Sequence, residues 1–296
     1  MAPTILIVGA TGNTGRSVAE TLPKLLKSKS SNALSEHRVI ALTRSSASPT
    51  GSVNNQVVRA FIASHNEPTQ FAEESTFYVA ALNAGVKYVV RISTTAANIR
   101  PDCKAYYPRT HWAIEALLSS PEFTPLQWTS LQPNIFAPFY LSPAAELIKQ
   151  YRTTGQQDTL RLMGSKDAPV GIIDPYDVGV LAAHLLAQDD PTAHNKAKYV
   201  LNGPEDITGK QIVDMVEQHI GTQVKEVSYQ DTSFINVLYE RNYTRQSKNV
   251  IFSMKHALET AWEGKCSAST TSKRVLELAA PKRTPADVLT ALLEGQ

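Results

Sequence analysis

A short apolar run that ends in a glycine-rich turn constrains the fold of this chain more than any other feature. The run Ile5–Val8 leads into Gly-Ala-Thr-Gly-Asn-Thr-Gly, residues 9–15, and a helical pattern with Val18 and Leu22 follows. A run that is apolar at every position is typical of a strand buried on both faces of a parallel sheet. The order of strand, glycine turn and helix therefore predicts an α/β protein with a Rossmann-type, doubly wound parallel sheet.

The three glycines of the turn predict a dinucleotide site. Gly9 permits a tight turn, Gly12 lets the backbone approach a pyrophosphate, and Gly15 lets the helix pack closely on the strand. The free N–H groups and the positive dipole end of the helix then favour the phosphates. The predicted cofactor-binding residues of this turn are Gly9, Thr11, Gly12, Asn13, Thr14 and Gly15.

The end of the second strand indicates which dinucleotide is bound. This strand is predicted over Arg38–Ser45, and its carboxyl end should lie beside the adenine ribose. An Asp or Glu there would hold the 2′-hydroxyl of NAD, whereas this chain has Arg44. A guanidinium favours the 2′-phosphate of NADP through charge-assisted hydrogen bonds, so we expect NADP(H) as the cofactor.

The segment after Arg44 is too short for a complete doubly wound half. The next strand is predicted over Val57–Ser64, and the stretch before it is rich in Ser, Pro, Gly and Asn. A further strand, a helix and their connections would need about 25–30 residues. The sequence therefore predicts that one strand–helix unit is missing after the second strand, either as a true deletion or because residues are omitted there.

Polar residues stand at the carboxyl ends of two further predicted strands. Ser64, His65 and Asn66 follow the first of them, and Ser93 and Thr94 end the strand "KYVVRIST". In an open parallel sheet, ligands bind beyond the carboxyl ends of the strands, so these residues should meet the glycine turn in one crevice. The helix between the two strands is predicted from residues at helical spacing, which are Phe71, Ser75, Tyr78, Val79 and Leu82, with Gly85 after its end.

Six stretches together resemble the NmrA-like family of atypical short-chain dehydrogenases/reductases, and fungal members in particular. They are "LIVGATGNTGRSV", "AGVKYVVRIST", "HWAIEALL", "WTSLQPNIF", "GIIDPYDVGVLAAHLL" and "YVLNGPEDITGKQIVDMVEQHIGTQV", in family order. The resemblance implies an NADP-binding Rossmann lobe, a smaller C-terminal lobe and a substrate cleft between them. It also implies that Ser93 and Thr94 flank the nicotinamide ribose. The residues that would line the cleft near the nicotinamide are Pro133, Asn134, Ile135 and Phe136.

This resemblance leaves two classes of function open. Some members of the family reduce quinones, enones or related small molecules with NADPH. Others bind the dinucleotide without turnover and report redox state to a partner protein. We expect an NADPH-dependent reductase of a small quinone, enone or carbonyl compound, with a non-catalytic NADP(H)-sensing regulator as the alternative.

Tyr107 and His111, in the stretch "YYPRTHWAIE", are the candidate catalytic residues. Reductase relatives place a lysine where this chain has His111. A lysine with a pKa of about 10.4 stays cationic at neutral pH, whereas a histidine with a pKa of about 6.5 is mostly neutral, although it can still hydrogen-bond ribose hydroxyls. Pro108 predicts that the helix starts there, which would leave Tyr107 outside it and out of line with His111. A tyrosine–base pair, a cofactor contact by His111 alone and plain packing all remain open.

The rest of the chain predicts a smaller α/β lobe that interleaves with the first. Phe136, Phe139 and Tyr140 would form either an apolar substrate wall or packing between the lobes. A strand is predicted before Asp174, which should cap a helix that begins at Pro175. The predicted boundaries are 1–135 for the NADP-binding lobe, with a return segment around 168–190, and 136–167 with 191–296 for the smaller lobe.

Charge and composition narrow the classes of partner. The 296 residues carry a net charge of +2, with the basic residues spread along the chain, which argues against nucleic acid and membrane surfaces as partners. Cys103, Cys266 and the seven histidines show no metal or redox spacing, so we expect no metal and a reducing compartment. No signal-peptide pattern and no apolar run of about 18 residues is present. These features predict a cytoplasmic protein and leave its oligomeric state open. The resemblance implies that the protein acts on a small apolar substrate or on a regulatory protein partner.

Overall fold

Six parallel strands form the main sheet of the computed structural model, which describes residues 3–28, 36–42, 56–242 and 246–295. These strands are β1 (Thr4–Val8), β2 (Arg38–Leu42), β3 (Val57–Ile62), β4 (Tyr88–Ile92), β5 (Gln127–Pro133) and β7 (Ala197–Leu201). Their order across the sheet is β2-β1-β3-β4-β5-β7. A second, two-stranded parallel sheet pairs β6 (Leu160–Arg161) with β8 (Val227–Ser228).

Helices connect the strands and cover both faces of the main sheet. They are α1 (Asn13–Ser28), α2 (Gln70–Asn83), α3 (Tyr106–Leu118), α4 (Ala137–Thr154), α5 (Pro175–Leu186), α6 (Gly209–Ile220), α7 (Phe234–Asn242), α8 (Lys248–Ser253), α9 (Glu259–Trp262), α10 (Lys273–Ala279) and α11 (Pro285–Glu294). Helices α1 and α5 pack on one face of the sheet, and α2 and α3 pack on the other. Helices on both faces are what an all-parallel sheet requires.

The sheet confirms the predicted doubly wound order. Strands β2 and β3 are consecutive in the described chain, yet they lie on opposite sides of β1, so the strand order reverses at β1. Ligands of open α/β sheets bind at such a reversal, outside the carboxyl ends of the strands. No strand among the described residues lies outside β2, as the short segment predicts. Residues 43–55 of that segment lie outside the described residues.

Two apolar cores hold the main sheet because successive side chains of a strand point to opposite faces. Ile5 and Ile7 of β1 are fully buried in a core with α1 and α5. On the other face, Trp128 of β5 packs with Tyr78 of α2 and Ile114 of α3. A third core lies away from the main sheet and joins α4, α6 and α11. This third core is the centre of the part of the chain that follows β5.

Helix α2 is present as predicted, but it buries a different face. Phe71 and Val79, which belong to the predicted apolar pattern, are 40% and 48% exposed. The buried side chains include Gln70, Glu74 and Tyr78, one helical turn apart. A polar stripe is buried here because it has polar partners inside the protein, which a pattern of apolar residues cannot reveal.

The segment before α5 is the second local difference from the sequence prediction. A strand is predicted there, whereas the structure has only isolated bridges, which join Val170 to Ile207 and Ile173 to Phe136. The start of the helix is confirmed: Asp174 is the N-cap, and its carboxylate accepts a hydrogen bond from the backbone N–H of Tyr176 at 2.7 Å.

Candidate nucleotide-binding and active site

The glycine turn has the geometry that the sequence predicts for it. Gly9 has a φ of +83°, a left-handed conformation that favours glycine. The N–H of Gly12 donates to the carbonyl oxygen of Gly9 at 2.9 Å, which closes the turn. A Cβ on Gly15 would lie 2.1 Å from the same oxygen, so only glycine fits where the helix meets the turn. Helix α1 begins at Asn13, and its first N–H groups lie beside this turn.

The turn lies at the side of the sheet where the parallel strands have their carboxyl ends, beside the ends of β2 and β3. We refer to this side as the edge of the sheet. A Cβ on Gly9 would lie 3.1 Å from the carbonyl oxygen of Ala63, just after β3, and the N–H of Gly9 donates to Leu42 at the end of β2. The parallel registers continue this edge to β4 and β5. Ser64–Asn66, Ser93 and Thr94 therefore follow strands that end beside the turn. Arg44, the predicted partner of the 2′-phosphate, lies outside the described residues.

The polar residues Ser64, His65 and Asn66, which follow β3, are all hydrogen-bonded to side chains of α2 or α3. The hydroxyl of Ser64 donates to Glu74 at 2.5 Å, and the ring of His65 is 2.7 Å from Glu73. This hydrogen bond with His65 lowers the pKa of Glu73. Asn66 is exposed, and its Oδ1 lies 3.0 Å from Nε2 of His111. Asn66 is therefore an exposed residue that is hydrogen-bonded directly to a buried side chain.

The residues at the end of β5 are placed differently from one another. Asn134 is buried, and its amide nitrogen lies within 2.8–3.0 Å of three acceptors, which are the carbonyls of Gly171 and Cys266 and the side chain of Asn202. Its side chain thus ties β5 to three later segments and has no free donor for a ligand. Phe136 is partly buried and is the N-cap residue of α4, whereas Pro133 is buried at the end of β5. The cofactor contacts of Pro133, Asn134 and Phe136 stay predictions.

Helix α3 begins two residues earlier than the sequence predicts. Its first residue is Tyr106, so Tyr107 lies inside the helix, one turn before His111. The prediction that Pro108 would start the helix is therefore wrong. A proline is accommodated here because the first N–H groups of a helix have no partner within the helix. The rings of Tyr107 and His111 meet edge to face, with centroids 6.4 Å apart.

His111 lies inside the protein as a neutral side chain. It is 2% exposed, and its Nδ1 is 3.0 Å from Nη2 of Arg91, while its Nε2 faces Asn66. Burial and the nearby guanidinium lower the pKa of His111 well below its ordinary value. Since both ring nitrogens already have protein partners, the structure does not place either of them on the hydroxyl of Tyr107.

Tyr107 has a different neighbour. Tyr107 is half-buried, and its hydroxyl interacts with the side chain of Thr94, which follows β4. Burial raises the pKa of Tyr107, the Thr94 hydroxyl offsets part of this rise, and the nearby thiols of Cys103 and Cys266 add to it. Tyr107 therefore keeps its proton at neutral pH, beside the predicted crevice.

A fully buried ion network lies behind these residues, and the sequence reasoning missed it. The guanidinium of Arg91, at the centre of β4, donates to both carboxylate oxygens of Glu74 at 3.2 and 3.3 Å. It also lies 3.7 Å from a carboxylate oxygen of Glu115 on α3. Burial alone would lower the pKa of Arg91, but Glu74, Tyr78 and Glu115 raise it. Arg91 is therefore a permanent cation beside His111.

Glu115 joins this network to the strands next to β4. It accepts hydrogen bonds from Ser93 at 3.0 Å, from Ser130 at 2.7 Å and from Gln132 at 3.1 Å, and it pairs with Lys198 of β7 at 3.0 Å. Burial alone would raise the pKa of Glu115, but Arg91 and these partners lower it. Ser93 thus directs its hydroxyl to Glu115 and not toward the edge of the sheet.

One signal in the sequence could have found this network. Arg91 interrupts an otherwise apolar strand, "YVVRI". A charge at the centre of a strand that is buried on both faces needs a buried counter-charge. Gln70, Glu74 and Tyr78 recur at a helical spacing that marks one face of α2. The two patterns together indicate a polar interior on this side of the sheet.

The described residues contain no group of three or more histidine, cysteine, aspartate or glutamate side chains that could hold a metal ion. No described helix is long and apolar enough to cross a membrane.

The chain has relatives among known proteins, although no protein-family model matches it. A (4-alkanoyl-5-oxo-2,5-dihydrofuran-3-yl)methyl phosphate reductase of Streptomyces griseus is 25% identical over 228 residues, 75% of this chain and 75% of that protein. The NADPH-dependent quinone oxidoreductase of Escherichia coli, solved with NADPH, superposes with a TM-score of 0.67 and 20% identity over 97% of this chain and 99% of its own. NmrA, a negative transcriptional regulator, superposes with a TM-score of 0.61 and 14% identity over 99% and 95% of the two chains.

These similarities confirm the resemblance to the NmrA-like proteins at the level of the fold. The chain has the Rossmann-type architecture shared by NAD(P)-binding reductases and by the regulator NmrA. The same fold thus occurs in an enzyme and in a regulator, so the chemistry of this chain depends on its own residues.

Proposed function

We propose that this protein is an NADP(H)-dependent reductase of a small quinone, enone or carbonyl compound. The observation that carries the proposal is the glycine turn at the reversal of strand order, where a Cβ on Gly15 would collide with Gly9. A turn with glycine at three of its seven positions, next to the N-terminus of a helix, lets a pyrophosphate approach the backbone. The Streptomyces and Escherichia relatives, which are reductases by name, support the same class of reaction.

Residues along this edge would hold the cofactor. The backbone of Gly9–Gly15 would bind the pyrophosphate, Arg44 the 2′-phosphate, and Thr94 the nicotinamide ribose. When bound, NADPH supplies a hydride. The contribution of the protein is to hold that cofactor and the substrate at a fixed distance and orientation, and such positioning accounts for much of the rate of a hydride transfer.

Tyr107 is the proposed proton donor. Its pKa is raised by burial, so its Oη keeps a proton at neutral pH and lies beside Thr94 at the edge of the sheet. His111 is neutral and provides no cation that would lower the pKa of the tyrosine. This arrangement favours quinones and activated enones, which accept a hydride readily and can take the proton from a weak donor or from water.

The smaller lobe, 136–167 and 191–296, would provide the other wall of the cleft. Phe139 near the start of α4 is 49% exposed and packs edge to face on Phe234 of α7, with ring centroids 5.6 Å apart. Exposed aromatic rings at the mouth of a cleft favour a flat, apolar substrate. The aromatic pair therefore supports a small unsaturated substrate over a charged one.

A nucleotide titration followed by an electrophile panel tests this proposal. The purified full chain is titrated with NADPH and with NADH, and binding is followed by nucleotide fluorescence, with Arg44→Asp alongside. We expect tight NADPH binding that the variant weakens, and NADPH oxidation with at least one quinone, enone or carbonyl compound. Absence of binding by either nucleotide would refute the proposal. Binding without oxidation of NADPH by any of the electrophiles would refute the reductase and favour the alternative.

The alternative is a non-catalytic NADP(H)-sensing regulator that acts through a protein partner. The observations that favour it are the neutral His111 in the place of a lysine and the similarity of the fold to NmrA. A regulator of this kind must bind its partner with an affinity that changes when the dinucleotide is present. This alternative is tested by pull-down from a lysate with and without NADPH, followed by a titration of the recovered partner. A partner affinity that NADPH does not change would refute the alternative.

A further inference from the structure

The ring of His111 is held between a donor and an acceptor. Its Nδ1 lies 3.0 Å from Nη2 of Arg91, and its Nε2 lies 3.0 Å from Oδ1 of Asn66. A guanidinium has donors only, so Nδ1 must accept, and an amide oxygen accepts only, so Nε2 must carry the proton. His111 is thus the neutral Nε2–H tautomer, with no ring nitrogen free to exchange a proton with a ligand.

Asn66 is the exposed end of this chain of hydrogen bonds. Arg91 is 0% exposed and His111 is 2% exposed, whereas Asn66 is exposed at the edge of the sheet that also carries the glycine turn. Because its oxygen faces His111, its amide nitrogen Nδ2 is a donor on the other side of the group. Within the described part of the chain, this nitrogen has no hydrogen-bond acceptor. A donor fixed in this way suits an acceptor oxygen of a ligand.

We infer that His111 is a positioning residue and that the side-chain amide of Asn66 donates a hydrogen bond to bound NADP(H). Arg91 selects the tautomer of His111, His111 holds Oδ1 of Asn66, and Nδ2 of Asn66 meets an oxygen of the dinucleotide. The inference rests on the proposed dinucleotide function. It replaces a general acid or base role for His111, and it accounts for the buried ion network behind the site.

The surroundings of the ring support this role. Arg91 stays protonated because it forms ion pairs with Glu74 and Glu115 inside the protein. The other groups around His111 are uncharged at neutral pH: Gln70 of α2, whose Nε2 is nearly equidistant from both ring nitrogens at 3.4 and 3.5 Å, and Tyr107 of α3. Among the residues that the structure describes, no carboxylate is hydrogen-bonded to the ring, so none of them stabilises a second proton on it.

The first experiment reads the tautomer without any cofactor. Nitrogen-15 NMR of the full chain records the ring signals, and His111→Gln identifies those of His111. We expect an unprotonated Nδ1 and a protonated Nε2, unchanged from about pH 8 to about pH 5.5. A ring that becomes protonated near pH 6.5, about the value of a free histidine, or one that carries its proton on Nδ1, would overturn the assignment.

The second experiment measures NADPH binding by two asparagine variants. Asn66→Ala should raise the dissociation constant for NADPH about five- to tenfold, the usual effect of losing one hydrogen bond. Asn83→Ala is the matched control, because Asn83 is exposed at the C-terminal end of α2, at the opposite edge of the sheet. Equal affinity of Asn66→Ala and the wild type would overturn the inference.

A third comparison separates positioning from direct contact. His111→Leu should raise the dissociation constant as much as Asn66→Ala does, and the double variant should bind no more weakly than either single one. His111→Gln should stay within about twofold of the wild type, because its amide oxygen and nitrogen are separated by one carbon, like the ring nitrogens. Additive losses in the double variant would mean that His111 itself contacts the nucleotide.

The outcomes distinguish this inference from the proposed function. If the wild type binds neither NADPH nor NADH, the proposed function fails, and this inference fails with it whatever the tautomer. If the wild type binds NADPH and Asn66→Ala binds it equally well, only this inference fails. Melting curves of each variant show whether it is folded. If His111→Leu is not folded, the NADPH affinity of Asn66→Ala and the tautomer of His111 together decide whether the inference holds.

Discussion

Gly15→Ala tests whether the glycine turn is as tightly packed as the structure indicates. The new Cβ would lie 2.1 Å from the carbonyl oxygen of Gly9 and 2.7 Å from its carbonyl carbon, whereas real Cβ contacts stay above 3.0 Å. Both neighbours are backbone atoms, so the turn must move by about 0.9 Å. Overpacking of this kind costs about 1–3 kcal/mol. The higher helix propensity of alanine offsets up to about 1 kcal/mol of this cost, so we expect a net loss of up to about 2 kcal/mol.

The assay for Gly15→Ala combines thermal unfolding with NADPH fluorescence titration. A loss of this size lowers the Tm by a few degrees, at about 2 °C per kcal/mol for a chain of this length. The displaced turn should also raise the dissociation constant at least about tenfold, since one misplaced phosphate contact is worth about 1.4 kcal/mol. If both Tm and affinity match the wild type, the close packing of turn and helix does not exist in solution.

Gly12→Ala is the matched comparison. Its Cβ would lie 3.3 Å from the same oxygen of Gly9, a tight contact that a shift of a few tenths of an ångström relieves. Stability should therefore change by less than about 0.5 kcal/mol. Binding should still fall, because a methyl group would occupy the path by which the phosphate reaches the backbone. Wild-type affinity in this variant would show that the pyrophosphate does not lie on the turn.

Four further predictions concern the interior and the mouth of the site. Because the pKa of His111 is lowered in the folded protein, its contribution to stability is complete above about pH 6.5 and is lost as the pH falls below that value. In urea unfolding, His111→Gln should therefore make the free energy of unfolding less dependent on pH below about 6.5, by up to about 1.4 kcal/mol per pH unit. Tyr107→Phe should lower kcat about 100-fold at an unchanged NADPH affinity in steady-state assays, and an unchanged kcat would assign the proton to water. Trp128→Ala should cost about 3–5 kcal/mol in denaturant unfolding, because its indole is fully buried and donates to Leu118 at 2.9 Å. Phe139→Ala should change stability by less than about 1 kcal/mol and raise the KM for apolar electrophiles, and an unchanged KM would remove this ring from the substrate wall.

The main sheet was predictable because its signals are local. The apolar strands, the glycine turn and the N-cap at Asp174 each depend on residues adjacent in sequence, and the structure has all of them. The start of α3 at Tyr106 was not predictable from Pro108, because proline is accepted at several positions of a first turn. The strand predicted before Asp174 depends on pairing partners far along the chain, and only isolated bridges form there.

The sequence by itself determined the predicted dinucleotide site: a strand, a glycine turn and a helix, with polar residues after the neighbouring strands. Only the tertiary structure decided what those polar residues do. Ser93 faces Glu115, Asn134 holds three later segments together, and His111 lies between Arg91 and Asn66. The physical reason is that charge and hydrogen bonding act between groups that are close in space, and β4 brings Arg91 to carboxylates that are 17 and 24 residues from it in the chain. The protonation state of His111, in the second turn of α3, follows from these contacts in space and not from its neighbours in the sequence.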